Sequence, residues 1–436
     1  MMRRSKTLAN VKWMVVCKTV QSLLQLIVGM MTARYLGPAN YGLINYAKSI
    51  VAFAMPFVQL GLDATMVKEL IDHPEEEGKI VGTSLVAGVV SGLVWIVLIG
   101  GFVAFVNPNE PETFVVCLLY SVSMVFQAVA LIQYWYQSKL LAKYPAVMQL
   151  ITYVLVSLYK IYLLVVEASV NWFALAYSME FGLIGFSLLL IYKRKMGSQL
   201  DFSFALAKKI ISRSHPYIWA ALMVTVFQNT DHVMLKMMIG NEENGYYTAA
   251  ITAVGVCQYV YIAIIDTMRP VIITERKQNG VRYEQKIAQL YGIVCYLSFF
   301  QGIVFTAFAN VIVDIMYGKT YVQAVPVVRV LVWSVSFSFM GMIRNVWILA
   351  EEKQSCLWKI NLAGVLINIG LNWVMIPWAG ALGAAIASLM TQIGMNFALG
   401  FVVPLLRNNN RYILRGCNPK FLAQSICNDD LLKKKL

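Results

Sequence analysis

Charge is scarce in this chain. Asp, Glu, Lys and Arg make up 13% of its 436 residues, roughly half the ~25% of an ordinary soluble domain. The apolar share, 59%, lies above the ~45–50% of such domains, and the mean hydropathy is +0.65. A soluble globular enzyme is excluded on that ground. Histidine is scarcer still: His73, His215 and His232 are too dispersed to form a ligand cluster. The seven cysteines, Cys17, Cys117, Cys257, Cys295, Cys356, Cys417 and Cys427, have no paired spacing, which argues against a disulfide framework and a zinc site. There is no phosphate-cradling glycine loop and no nucleophile–base constellation. No catalytic residue, metal or cofactor is expected.

What the chain does have is long apolar runs. Segments able to cross a bilayer, ~20 residues each, fall at about 11–33, 40–62, 80–106, 113–136, 145–167 and 169–192, then at 214–239, 245–268, 286–310, 323–349, 357–378 and 380–405. The fold expected is an all-α polytopic membrane protein with twelve transmembrane helices. The first run follows Met1-Met2-Arg3-Arg4-Ser5-Lys6, and with no small-residue cleavage site after it, it reads as an uncleaved first helix.

The net charge of +14 marks topology, not nucleic-acid binding. Counted over the connections, 27 Lys and Arg lie on one side, from Arg3 through the 193–213 link to Lys435, and only Arg34 and Lys319 on the other. By the positive-inside rule both termini face the cytoplasm. The opposite connections, such as Asn107-Pro108-Asn109-Glu110-Pro111-Glu112 and Asn241-Glu242-Glu243-Asn244, are short and acidic.

A repeat underlies the twelve spans. Sliding the chain by 203 residues sets Leu36-Gly37 and Gly42 on Ile239-Gly240 and Gly245, Ala47 on Ala250, Gln25 on Gln228 and Asp63 on Asp266. Six spans per copy give both halves the same orientation, the parallel kind of repeat, with the substrate site expected between the halves. The reading is two six-helix lobes, 1–195 and 214–405, around a central cavity. A basic cytoplasmic connector at 196–213 joins them, and a basic cytoplasmic tail follows at 406–436.

Three stretches carry a family resemblance: Ala33-Arg34-Tyr35-Leu36-Gly37-Pro38-Ala39-Asn40-Tyr41-Gly42 with Ala47-Lys48-Ser49-Ile50; Tyr134-Trp135-Tyr136-Gln137; and Asn368-Ile369-Gly370-Leu371-Asn372-Trp373-Val374-Met375-Ile376-Pro377 leading into Gly380-Ala381-Leu382-Gly383. The chain resembles, over nearly its whole length, the O-antigen and capsular repeat-unit flippases of the multidrug, oligosaccharidyl-lipid and polysaccharide exporter superfamily. Ser138-Lys139 stands where that family usually has Gly-Leu. The resemblance implies a non-enzymatic flippase. It would carry undecaprenyl-diphosphate-linked oligosaccharide across a bacterial inner membrane by alternating access, beside a polysaccharide polymerase and a chain-length regulator. Membrane lipids are its other partners.

Charges inside the spans then become candidate site residues. Lys18, Lys48, Lys160, Lys236, Arg329 and Arg344 stand against Glu180, Asp231 and Asp266. Arg344 and Lys236 lie near span ends and are expected to snorkel to headgroups; Asp266 sits beside Arg269 as a structural partner. Lys18 and Arg329 lie roughly 10 Å inside their ends at ~1.5 Å per residue. Lys160 is in the outer half of its span, and Lys48 is deepest, where a charge is retained only if it faces protein or water. A diphosphate is matched by such cations. Lys18, Lys48, Lys160 and Arg329 are therefore expected to bind substrate, with Gln25 and Asn45 as polar wall residues. Gln and Asn at such positions also make interhelical hydrogen bonds. Asp231 either takes a coupling proton or cation or pairs with a lysine of another helix, and its neighbour His232 faces elsewhere. A drug exporter of the same superfamily would carry acids for cationic cargo. A murein-precursor flippase usually has fourteen spans. A polymerase or ligase needs a large outer loop, and the longest here, about 310–322, is too short for one.

Overall fold

The computed structural model describes residues 2–278 and 280–427. The basic residues Lys433, Lys434 and Lys435 lie outside the described residues, as do the side chains of Arg3, Arg4, Lys6 and Asp63. Among the described residues the chain is almost entirely helical, without strands.

The first helical stretch, Met2–Gln59, is broken at Gly37 into α1 (2–36) and α2 (38–59). A short helix, Leu62–Asp72, leads to α3 (Glu77–Val106), α4 (Pro111–Val129, continuing to Ser138 through a tighter turn), α5 (Lys143–Val165) and α6 (Val170–Ile191). The second half has α7 (Phe204–Met238), then α8, bent by 47° between Asn241–Gly255 and Gln258–Gln278. After it come α9 (Gly280–Tyr317), α10 (Ala324–Ala350) and a stretch, Leu357–Ile393, broken at Ala379 and Gly380 into α11 (357–378) and α12 (381–393). Two short helices, α13 (Arg407–Gly416) and α14 (Pro419–Cys427), close the described chain. The expected twelve long helices are thus present.

Seven segments are long and apolar enough to cross a membrane, and the bent α8 makes an eighth. The segment that counts once in that total, Leu357–Val402, holds both α11 and α12. The helices outside this set are α1, α2 and α7, which carry Lys18, Lys48, Asp231 and Lys236. Elsewhere the outer surface is apolar: Val97 is 74% exposed, Phe105 86% and Trp378 75%. Contiguous apolar exposure of that kind suits lipid, not water. The protein is a multi-pass membrane protein.

The chain divides into two compact units, Met1–Asn229 and Thr230–Leu436, with the division inside α7. Only 197–203 of the expected connector is non-helical, because α7 already begins at Phe204. That short stretch lies in a channel along the start of α3. A Cβ on Gly78 would collide with Gln199 O, and one on Gly82 with Asp201 O. The Asp201 amide donates to Gly78 O at 3.2 Å, and the Ser203 amide to Thr83 Oγ1 at 3.0 Å. Beside it, Glu77 accepts from Lys139 at 2.6 Å and from Ser198 Oγ at 3.3 Å.

The 203-residue repeat has a backbone counterpart. Gly37 (φ 69°, ψ 174°) and Gly240 (φ 142°, ψ −178°) both take positive φ with extended ψ, a region open essentially to glycine alone. Neither has any atom near a would-be Cβ, so glycine is needed for its dihedrals and not for space. In each case one helix ends and the next starts at the following residue.

Within the Tyr134-Trp135-Tyr136-Gln137 stretch the two middle residues turn out to be core, while Gln137 is exposed. Trp135 and Tyr136 are buried with Tyr192 among Leu62, Leu131 and Leu188, and Tyr136 Oη donates to Leu188 O at 2.7 Å. In the second unit the core gathers Tyr261, Tyr283, Tyr291, Phe339 and Trp347, with Tyr261 stacked on Phe339 at 3.9 Å.

Candidate functional site

Three titratable side chains lie within Coulombic reach of one another in the first unit. Lys48 on α2 and Glu180 on α6 each lie ten residues beyond the start of their helices, roughly 15 Å along at ~1.5 Å per residue. Both helices start from the weakly basic end of the bundle. Lys160 lies nearer that end, on α5, which runs the opposite way. Helical side chains tilt toward their own N-terminus, so Lys48 and Glu180 lean toward Lys160 while Lys160 leans toward them. Lys48 is within Coulombic reach of Glu180, and Lys160 of both. The group holds two basic side chains and one acidic one.

Tyrosines frame this triad. Tyr120 and Tyr177 stack at 4.6 Å, and Phe181 packs on Tyr177 at 5.1 Å. Tyr120, Tyr153 and Tyr177 all lie within reach of Glu180, and Tyr41 beside Tyr120. Lys48 is exposed although Tyr46, Ala47, Ser49 and Ile50 around it are buried. It is the one position of that stretch whose side chain is turned away from the packing. α2 is held in place by Tyr46 Oη, which donates to Asn107 Oδ1 at 3.1 Å. The lysines offer cations to phosphate oxygens, and the partly exposed Tyr41 and Tyr177 offer amphipathic rings to a polar cargo.

The remaining expected residues distribute differently. Lys18 and Gln25 are exposed on one face of α1, seven residues apart. Asn45 turns back on its own helix, donating to Tyr41 O at 2.8 Å. Arg329 is exposed near the start of α10, in the second unit. Glu180 was counted among the span charges from sequence, but its place between the lysines was not foreseen; the signal available was its depth, equal to that of Lys48.

Two expectations are corrected. Arg344 does not snorkel. It is buried and donates to Met395 O and Asn396 Oδ1, both at 2.9 Å. A break in regular α-helical bonding at Gly394–Ala398 frees the Met395 carbonyl for it, and Gly341 leaves room for the Asn396 side chain. Lys236 is likewise buried, at 6% exposure. Asp266 does pair with Arg269, at 2.9 Å.

Asp231 sits in the second unit within a ring of neutral donors. Tyr247 Oη donates to it at 2.5 Å, Asn372 Nδ2 at 2.6 Å and Ser388 Oγ at 2.7 Å. These come from α8, α11 and α12, and no lysine is among them. Asn372 Nδ2 also reaches Asn368 Oδ1 at 3.1 Å, while Asn372 Oδ1 is buried without a partner. His232 turns to Asn244 Oδ1 at 2.8 Å, so the two neighbours serve different contacts. Oxygen atoms of one carboxylate, two amides, a serine and a tyrosine collect here, the donor chemistry that hard cations and protons prefer. The motif Asn368–Pro377 thus contributes its two asparagines to this cluster. No group of three or more His, Cys, Asp or Glu suited to a metal occurs among the described residues.

The two halves are not copies in chemistry. In the 203-residue register Lys48 falls on Ile251 and Asp231 on Val28: the cationic group belongs to the first unit and the acidic one to the second.

Comparison with known proteins places this arrangement. A lipid II flippase MurJ in an inward closed conformation superposes with a TM-score of 0.72 at 12% identity, covering 95% of this chain and 93% of that one. An inward-facing multidrug resistance MATE family transporter of the MOP superfamily gives 0.69 at 13%, covering 89% and 94%. A mutant of the Vibrio cholerae MATE transporter VcmN gives 0.55 at 14%, covering 94% and 99%. At these identities the likeness is one of fold. No curated protein matches the sequence. The model of the family described as "Polysaccharide biosynthesis protein" matches residues 7–274, more than half the chain. By that match the chain belongs to the polysaccharide biosynthesis protein family, and its fold is shared with MurJ and MATE transporters.

Proposed function

We propose that this protein flips undecaprenyl-diphosphate-linked oligosaccharide repeat units from the cytoplasmic to the outer face of a bacterial inner membrane. The observation that carries the reading is the Lys48–Glu180–Lys160 group with its tyrosine surround. A diphosphate brings two negative charges and many acceptor oxygens, which two lysines answer as point charges with several donors each. The glycan is polar and suits rings that carry hydroxyls. Lys18, Arg329 and Gln25, all exposed, are proposed as further contacts along the route, with Asn45 close to Lys48. Transport is by alternating access: the headgroup is held first from one side and then released to the other, no bond is made or broken, and the lipid tail stays in the bilayer.

Asp231 is proposed as the coupling group. Its carboxylate and the unpartnered Asn372 Oδ1 supply the receptive oxygens for a proton or monovalent cation, whose arrival rearranges the Tyr247 and Ser388 hydrogen bonds. Both termini and the 196–213 connector are read as cytoplasmic from the 27 to 2 division of basic residues. A polymerase and a chain-length regulator, acting on the delivered units, are the proposed protein partners. A second reading, export of a drug or of another lipid-linked precursor, draws on the fold shared with the MATE and MurJ structures; the excess of basic over acidic residues in the first-unit group favours anionic cargo over cationic.

The test is deletion of the gene in its host. Lipid-linked repeat units should accumulate on the cytoplasmic face and return to normal when the gene is restored. Unchanged surface polysaccharide and no accumulation would refute the assignment.

A further inference from the structure

Two thiols that transport does not use lie against one another in the second unit. Cys295 is on α9 and Cys417 directly follows α13; their sulfurs are 3.4 Å apart, and both residues are partly accessible. The meeting is held by its surroundings. A Cβ on Gly292 would lie 2.6 Å from Gly416 O, and one on Gly416 would collide with Ala288 O, so the backbones touch where α13 ends on α9. Tyr296 Oη donates to Cys417 O at 2.7 Å, and Tyr291 Oη to Asn409 Oδ1 at 2.7 Å. Tyrosines of α9 therefore grip both ends of the tail helix.

We propose that Cys295 and Cys417 form an oxidation site for hydroperoxides, and that their disulfide staples the carboxy-terminal helix to α9. The hydrogen bond between the sulfurs holds the Cys417 thiol below its ordinary value, at about 7, and the thiolate is the nucleophile. Cys417 attacks a peroxide oxygen; the O–O bond breaks, hydroxide leaves and takes a proton to become water, and the sulfur is left as a sulfenic acid. The Cys295 sulfur then attacks that sulfur, the S–O bond breaks, and a second water departs with the Cys295 proton. Two thiols and one hydrogen peroxide yield one disulfide and two waters, the peroxide taking both electrons. Thiol reductants reverse the product.

The experiment uses the full-length protein in nanodiscs, treated with hydrogen peroxide and digested without reductant. A Cys295–Cys417 linked peptide is expected as the main crosslink, lost on reduction, while Cys257 and Cys356 remain thiols at the same dose. Cys295→Ser should abolish the crosslink and leave Cys417 as a sulfenic acid that dimedone traps. Amide exchange in α13 should slow by about threefold or more on oxidation and recover on reduction. Cys417 left reduced at doses that oxidise Cys257 or Cys356, or linked to another cysteine, would overturn the site. Equal α13 exchange in both redox forms would overturn the staple.

Discussion

Lys48 is the residue on which the transport reading is most exposed to test. A cation that faces cargo should tolerate replacement by another cation and fail on neutralisation. Lys48→Arg is expected to keep much of the export activity, and Lys48→Ala to lose about tenfold, the scale of one charge-assisted contact. Lys48→Glu should be worse, since it places a like charge against the diphosphate beside Glu180. Repeat units appearing at the surface per unit of inserted protein is the measurement; parental rates for both the Ala and Glu variants would leave the mechanism to Lys18, Lys160 and Arg329. Arg344 predicts the converse pattern. Its guanidinium bonds Met395 O and Asn396 Oδ1, so Arg344→Ala should cost about 2 kcal/mol of stability. That loss is read as a lower thermal midpoint in detergent, with transport per folded molecule retained. Sequence alone separates these two arginine and lysine positions by depth only, and depth misleads for Arg344. An end-of-helix position permits snorkelling, but a carbonyl freed by a local change in helical pitch on a neighbouring helix is invisible in the chain order.

At the scale of elements, the glycine turns before α2 and α8 are the parts most legible from sequence. Gly37 and Gly240 repeat at a spacing of 203, and each adopts a conformation that side chains resist. Gly37→Val and Gly240→Val should each destabilise by about 1–3 kcal/mol, and an alanine at Gly29, which has open space and ordinary helical dihedrals, serves as the control that should not. Legible too was the number of long helices, because hydropathy reports directly on what must face lipid. The bend in α8 and the oxygen cluster at Asp231 were not. The partners of Asp231 come from α8, α11 and α12, up to 157 residues away, and Tyr247, Asn372 and Ser388 each look unremarkable in place. Asp231→Asn should leave the fold intact and uncouple transport from its ion gradient; retention of a gradient-driven rate would assign the carboxylate a purely structural role. The Gly78 and Gly82 channel yields a further expectation: Gly82→Val should expel residues 197–203. Chymotryptic cleavage after Leu200 or Phe202 would then speed up, and equal cleavage of both forms would show that the channel does not hold the segment.

For the molecule as a whole, the division of basic residues predicts that a reporter fused after Leu436 is active only in the cytoplasm, and a periplasmically active fusion would reverse the assigned direction of transport. The halves share a glycine turn and an element order but not a charge pattern. The strap at 197–203 has one more consequence, for how this chain can be divided. The middle of a two-unit protein is usually where it can be severed or enlarged, because linkers lie loose on the surface. Here the mid-chain segment is seated in a groove of α3, and the division between units falls within the continuous α7. Two separately expressed fragments broken at 197–203 should therefore assemble poorly. Fragments broken at the exposed tip at Pro108 and Asn109 should reassemble better, although that break leaves very unequal pieces.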